Sequence, residues 1–347
     1  MDHLFIRADA STEIGAGHLM RCLALAQAWK ARGGRATFIT ACESAGLYRR
    51  LVDEGFGVVR VDRSYPDPAD WRVSGDHLAH YSGAWVVLDG YHFDAAYQCR
   101  IREAGHRLLV IDDMAHLDYY CADILLNQNI YAAELTYSCR PETKMLLGVS
   151  HALLRREFMA WQSRRGEIPE TALRVLVTLG GSDPDNVTLK VVKALHLLGS
   201  TGWNWEARIV AGAANPHLGA LRREIGLLED RIRLLADVNN MPELMAWADV
   251  AVSGAGSTCW ELAFMGLPAL LLVLAENQRR VAAAVAAGGA GIDLGAYETI
   301  SEADMARALE DLMQNAGERR RLSERGRQWV DGRGASRVIA ALREVMS

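Results

Sequence analysis

The feature that most restricts how this chain folds is a pattern repeated along it. Short runs of consecutive apolar residues end in a turn bearing glycine or aspartate, and a helical stretch follows. Residues 4–7, 85–88, 108–111, 174–179, 250–252 and 269–274 are such runs. A strand alternating apolar and polar residues has one wet face, whereas a run apolar at nearly every position is buried on both. Both faces are covered when helices pack on either side of a parallel sheet. Further strands over 36–39, 58–61, 124–126, 205–210 and 232–235, with helices over 18–31, 47–54, 186–198, 241–248 and 259–265, complete the alternation. Strand–helix alternation with short connections predicts parallel, doubly wound α/β sheets.

A chain of 347 residues exceeds one ordinary core, so two domains are expected. The character changes after Gly148, where Arg155, Arg156, Arg164, Arg165, Glu167 and Pro169 crowd a polar segment. This places a first domain over 1–155, a connector over 156–170 and a second domain over 171–325, followed by a terminal helix over 326–347. A formal net charge of −5 argues against a general nucleic-acid binder. The six cysteines form no C-x-x-C pair, which suggests reduced thiols in a cytoplasmic protein. The first residues carry no secretory pattern, and the longest apolar run, 262–275, is broken by Gly266 and Pro268 and too short for a membrane span.

Chemistry concentrates where predicted strands end. Between the strands at 250–252 and 269–274 lie Gly254, Gly256, Ser257 and Thr258, the last two opening a helix. The first amides of a helix lack intrahelical partners and its dipole favours an anion, while glycine lets a phosphate approach the main chain. The turn therefore suits a nucleotide diphosphate. A plainer reading is that Thr258 and Glu261 form a capping box that needs no ligand. A second glycine loop, Gly180-Gly181-Ser182-Asp183-Pro184, follows another strand, and a third is Gly15-Ala16-Gly17-His18. His18 stands at a predicted helix start with Arg21 one turn on; the dipole and the cation both disfavour an imidazolium there. A neutral imidazole accepts a proton, as a general base must, although His18 equally suits a packed helix start. Asp89 and Tyr91 follow the 85–88 strand, and Asn277 follows the 269–274 strand in the polar stretch Glu276-Asn277-Gln278. Each fits either turn chemistry or a ligand contact. The ten histidines show no metal-ligand spacing, so no metal and no cofactor is called for.

These residues resemble a known family. Ile6-Arg7-Ala8-Asp9-Ala10-Ser11 with Ile14-Gly15-Ala16-Gly17-His18-Leu19-Met20-Arg21 is similar to the N-terminal signature of PseG-type UDP-sugar hydrolases, which act in pseudaminic acid biosynthesis. Leu88-Asp89-Gly90-Tyr91, Gly180-Gly181-Ser182-Asp183-Pro184, Gly256-Ser257-Thr258-Cys259-Trp260-Glu261 and Asn277-Gln278 continue the likeness in order. The resemblance implies a GT-B-like fold related to MurG-type glycosyltransferases: two Rossmann-like domains facing across a cleft, the last helix returning to the first. It implies His18 as base, with Gly17, Arg21, Asp89, Tyr91 and Asn277 around the sugar. UDP is implied on Gly181, Ser182, Gly256, Ser257, Thr258 and Glu261, the last at the ribose. It favours a monomer whose partners are the UDP-sugar and UDP, with no nucleic acid and no membrane. The family's frequent Gly-Thr-Gly-His is Gly15-Ala16-Gly17-His18 here, without the hydroxyl.

The implied reaction is inverting hydrolysis of UDP-2,4-diacetamido-2,4,6-trideoxy-β-L-altropyranose without a metal. The same scaffold serves a glycosyltransferase or a non-catalytic nucleotide-sugar binder. A dinucleotide oxidoreductase fits less well, because Gly15-x-Gly17 lacks the third glycine of that fingerprint.

Overall fold

A computed structural model describes residues 3–11, 14–162, 167–181, 183–198, 204–212, 215–226, 231–236 and 238–345. The chain forms two compact units, Met1–Arg156 with Gly332–Ser347, and Glu157–Asp331.

The first unit holds seven strands: β1 (His3–Ala8), β2 (Arg35–Thr40), β3 (Gly57–Arg60), β4 (Trp85–Asp89), β5 (Arg107–Ile111), β6 (Ile124–Asn127) and β7 (Lys144–Leu147). They are parallel throughout, in the order β3-β2-β1-β4-β5-β6-β7. The order runs outward in both directions from the β1/β4 pair, so the connections leaving these two strands cross to opposite faces of the sheet. The gap between them is the switch point at which open α/β sheets bind ligands. Ala8 and Asp89 lie opposite each other there, at the carboxyl ends.

The second unit repeats the plan with β8 (Arg174–Thr178), β9 (Glu206–Ala211), β10 (Ile232–Ala236), β11 (Val250–Gly254), β12 (Ala269–Val273) and β13 (Ile292–Ala296). The order is β10-β9-β8-β11-β12-β13, again all parallel, which puts its switch point between β8 and β11. The apolar runs behave as their composition requires: β4, β11 and β12 are buried at every residue. Two strands have no counterpart in the sequence reading, β7 and β13, and both are sheet edges. An edge strand needs cover on fewer sides, and β13 is only half-buried along its length. The polar stretch at Glu276-Asn277-Gln278 is not a loop but the start of a helix, Glu276–Ala287.

Helices pack on both faces of the first sheet. One face buries Leu19, Leu23, Ala26 and Trp29 of helix Gly17–Lys30 together with Val338, Ile339 and Leu342 of the last helix, Gly334–Glu344. The other collects Phe93, Tyr97 and Ile101 under Val86, Leu88, Leu108 and Val110. Gly334, the first residue of the last helix, meets the chain at residues 151–152 so closely that a Cβ there would lie 2.1 Å from the Ala152 carbonyl oxygen. Backbone on one side and buried apolar side chains on the other leave no room to yield. Among the described residues no helix is long and apolar enough to cross a membrane.

Gly334→Ala should therefore cost about 1–3 kcal/mol, the usual range for overpacking a filled site. Urea unfolding of the intact chain measures it, with the loss appearing in the transition of the first unit.

Candidate active site

At the β1/β4 switch point the chain leaves β1 and enters helix Gly17–Lys30, whose N-cap residue, Ala16, offers no side-chain acceptor. His18 is the second residue of this helix and its side chain is 11% exposed. Its Nδ1 lies 2.6 Å from Asp89 Oδ1 at the end of β4. Asp89 is wholly buried and held ionised, so it accepts the hydrogen bond from Nδ1; Arg21 Nη2 lies 3.2 Å from the same ring nitrogen. Nε2 has no hydrogen-bond partner among the described residues.

One turn along the helix, Arg21 forks onto the same carboxylate: Nε donates to Asp89 Oδ2 and Nη2 to Oδ1, both at 2.7 Å. Its Nη1 donates to Asp113 Oδ2 at 2.7 Å, beyond the end of β5. Burial alone would push the Asp89 carboxyl up. The Arg21 guanidinium outweighs burial, with His18 adding to it, and holds Asp89 well below the usual carboxylate range. Burial likewise works against the charge on Arg21, and Asp113 and Asp89 together reverse it. The sequence suggested Arg21 as a cation near His18, and its Nη2 lies 3.2 Å from Nδ1. Two carboxylates also surround the guanidinium, and the charge nearest the imidazole is the Asp89 carboxylate.

Asp113 extends the network. It accepts from Tyr91 Oη at 2.7 Å through Oδ2 and from Asn129 Nδ2 at 2.7 Å through Oδ1. The half-buried Tyr91 ring stands edge-on to His18, with centroids 5.0 Å apart and planes at 83°. His18, Arg21, Asp89 and Tyr91 are thus brought together, and Gly17 is exposed just before His18. Two expectations change. Asp89 has no exposed surface, and Arg21 spends three nitrogens on two aspartates, so neither is open to a sugar in this structure; both lie beneath His18. Asp113 and Asn129 were not singled out from the sequence. Their positions after β5 and β6 were a visible signal, but nothing local tells which strand-end acid turns inward.

In the second unit the turn after β11 leads into helix Thr258–Met265. Its N-cap is Ser257, with no side-chain cap bond, so Thr258 and Glu261 are the first and fourth helical residues and form no capping box. Cys259 and Trp260 donate their amides to Gly256 and Ser257 carbonyls in tight turns. The amides of Gly256, Ser257 and Thr258 have no partner among the described residues. All three residues are half-buried, as is Glu261 one turn on. A Cβ on Gly256 would meet Gln278 Nε2 at 3.9 Å and nothing nearer. Gln278 is held by its other amide atom, Oε1, which accepts from Leu274 N at 3.1 Å. This leaves the Gln278 NH₂ beside the open amides, a donor the sequence reading passed over in favour of its neighbour. Asn277 is the second residue of helix Glu276–Ala287 and is half-buried.

The loop after β8 differs. Gly180 is left-handed (φ 92°) and Gly181 is exposed; Ser182 lies outside the described residues. The buried Asp183 accepts from Val187 N at 2.8 Å and Thr188 N at 2.9 Å, so helix Val187–Leu198 is already capped by a carboxylate. The neighbouring Gly212 approaches the Gly181 carbonyl so closely that a Cβ would lie 1.9 Å from it. Asn186 Oδ1 and Asn215 Nδ2 are buried with no hydrogen-bond partner among the described residues. At this switch point, then, one helix start is closed by the protein's own anion and the other is open.

Residues 175–328 match the glycosyltransferase family 28 C-terminal domain. Over 344 residues the chain is 26% identical to the spore coat polysaccharide biosynthesis protein SpsG of Bacillus subtilis, covering 99% of this chain and 98% of that protein. It is 26% identical over 296 residues to the UDP-2,4-diacetamido-2,4,6-trideoxy-beta-L-altropyranose hydrolase of Campylobacter jejuni, covering 82% of this chain and 97% of that one. Its fold is similar to the crystal structure of MurG from Acinetobacter baumannii, with a TM-score of 0.66 at 15% identity, covering 99% of this chain and 100% of that chain. The fold is accordingly GT-B-like, two Rossmann-like parallel-sheet domains, as the sequence implied.

Replacing Asp89 by Asn should remove one of the two carboxylates that balance the buried Arg21 and cost about 3–5 kcal/mol in denaturant unfolding, the range for breaking a buried pair from one side. The sign with pH follows from the same pair. Because the folded carboxyl is depressed, its stabilisation is complete above the unfolded value of about 3.9 and fades as pH falls toward the folded one. The Asp89→Asn difference should therefore shrink below pH ~4 in unfolding curves taken across acid pH.

Proposed function

We propose that the protein hydrolyses a UDP-linked diacetamido-trideoxy sugar, UDP-2,4-diacetamido-2,4,6-trideoxy-β-L-altropyranose or a close relative, to the free sugar and UDP, in the cytoplasm and as a monomer. The observation that carries this reading is the 2.6 Å contact of His18 Nδ1 with Asp89, which leaves Nε2 without a hydrogen-bond partner among the described residues at a ligand-binding switch point. The similarity to a hydrolase of that name supports the substrate class.

In this reading Nε2 takes a proton from water as the water oxygen attacks the anomeric carbon. The bond from that carbon to the UDP oxygen breaks, UDP leaves with the electron pair, and the centre inverts. Asp89 keeps the ring in the productive tautomer and stabilises the imidazolium that forms, the part a buried aspartate plays in a catalytic triad. UDP is a good leaving group, so the reaction calls for neither a strong acid nor a metal. The open amides of Gly256, Ser257 and Thr258 offer donors for its pyrophosphate. Gly181 and Ser182 are assigned to UDP with them, and Glu261 to the ribose. Tyr91, Gly17 and Asn277 are assigned to the sugar.

The match of residues 175–328 to a glycosyltransferase domain favours a second reading, transfer to a sugar or lipid acceptor. Incubating the protein with UDP-diacetamido sugars and no acceptor separates the two. Hydrolysis releases UDP at full rate, and NMR of the fresh product shows the inverted anomer. Transfer leaves the substrate intact until an acceptor is added. His18→Ala should lower kcat by about 10²–10⁴-fold, the usual share of a general base, while UDP affinity by calorimetry stays unchanged. A near-normal rate in that variant would remove His18 from the role.

A further inference from the structure

Two of the groups that meet the His18 ring end on a single oxygen atom. The Arg21 guanidinium brings Nη2 to 3.2 Å from His18 Nδ1, and the Tyr91 ring stands edge-on to the imidazole at 5.0 Å. Arg21 Nη1 and Tyr91 Oη both donate to Asp113 Oδ2, each at 2.7 Å. Asp113 is buried just beyond the end of β5 and makes no hydrogen bond to His18 itself.

The Asp113 carboxylate is fixed from behind. Its Oδ1 accepts from Asn129 Nδ2 at 2.7 Å, and that Nδ2 and the Asn129 main-chain amide both donate to Asn127 Oδ1 at 2.9 Å. Asn127 is the last residue of β6 and is wholly buried. Tyr131 Oη donates to the Asp113 carbonyl at 3.2 Å. Three side-chain donors thus converge on two oxygens that only accept. An amide of the same shape cannot satisfy all three, because one of its two heads is itself a donor. Asp123 provides a contrast in the same unit. Its side chain is 11% exposed against 10% for Asp113, and it binds Arg102, Arg140 and the Leu108 amide, but it precedes β6 at the opposite edge of the sheet.

We propose that Asp113 is a positioning residue for the reaction assigned to His18. By taking Arg21 and Tyr91 on one oxygen it sets the spacing between the guanidinium and the aromatic ring that flank the imidazole, and so the direction of Nε2. The inference rests on the reading of His18 as the base. Loss of this acceptor frees the Tyr91 hydroxyl and one arm of Arg21 together, so the imidazole keeps its bond to Asp89 but loses its lateral support.

The test uses Asp113→Asn in the intact chain, beside Tyr91→Phe, the double variant and Asp123→Asn. With the UDP-sugar as substrate, Asp113→Asn should lower kcat by roughly 10- to 100-fold, the scale of a small misplacement of a catalytic group, with KM little changed. Asp123→Asn, which alters an equally buried carboxylate away from the site, should keep kcat. Because Tyr91→Phe removes one of the bonds that Asp113 makes, the losses in the double variant should combine to less than their product. A second readout needs no substrate: in long-range ¹H–¹⁵N spectra the His18 ring signals should be displaced in Asp113→Asn and in Tyr91→Phe, and unmoved in Asp123→Asn. If Asp113→Asn does not fold, Tyr91→Phe cuts the same bond from its other end and its spectrum decides. If the wild type turns over no UDP-sugar, the hydrolase reading fails and the spectra alone judge Asp113. A wild-type kcat in Asp113→Asn, losses that multiply in the double variant, or His18 signals that stay in place overturn the proposal.

Discussion

The buried carboxylate of Asp89 is the constraint on which the first unit's site depends. An ionised aspartate with no exposed surface is costly unless every lone pair is engaged, and here Arg21, His18 and the Cys22 thiol engage them. The same bonds do two jobs. They keep Asp89 charged, and they anchor helix Gly17–Lys30 to the end of β4 through two residues one turn apart. Because Asp113 takes the remaining arm of Arg21, the lattice reaches β5 and, through Asn129, the end of β6. The orientation of His18 is therefore set by three neighbouring strand ends as well as by the helix that carries it.

Imidazole–aspartate pairing recurs along this carboxyl edge. His18 pairs with Asp89, His116 with Asp112, and His92 Nε2 lies 3.1 Å from Asp9 Oδ2. Asp9 also binds Arg7, which is shared with Asp70, so the loop after β1 is tied down on both sides of the switch point. The three pairs are not equivalent. Asp9 and Asp89 each lie against a guanidinium that neutralises them, whereas Asp112 accepts two main-chain amides besides the imidazole of His116.

The second unit shows the same economy at helix starts. Both helices flanking its switch point begin with orphan amides, but Asp183 fills one set and leaves the other to be filled from outside. The closed start has its amides satisfied by Asp183; the open one, lined by Gly256 and the Gln278 amide, is suited to an anion. The sequence motif at each was similar, a glycine turn followed by a polar residue. What separates them is whether a short acidic side chain sits at the right place to cap, which Asp183 does from a left-handed backbone (φ 43°).

By itself the sequence determined the fold class and the strand ends where chemistry gathers. A strand covered on both faces must be apolar along its whole length, and a parallel crossover must leave it through a turn; both demands are written locally. The placement of His18, Tyr91 and the turn at 254–258 beyond strand ends was legible for that reason. Only the tertiary structure decided which acids face inward. Arg21 meets Asp89 and Asp113 across 68 and 92 residues of chain, and that meeting exists only once β1, β4 and β5 are neighbours in one sheet. The edge strands β7 and β13 escaped for a related reason: their state is set by pairing with β6 and β12, not by burial that their own residues announce.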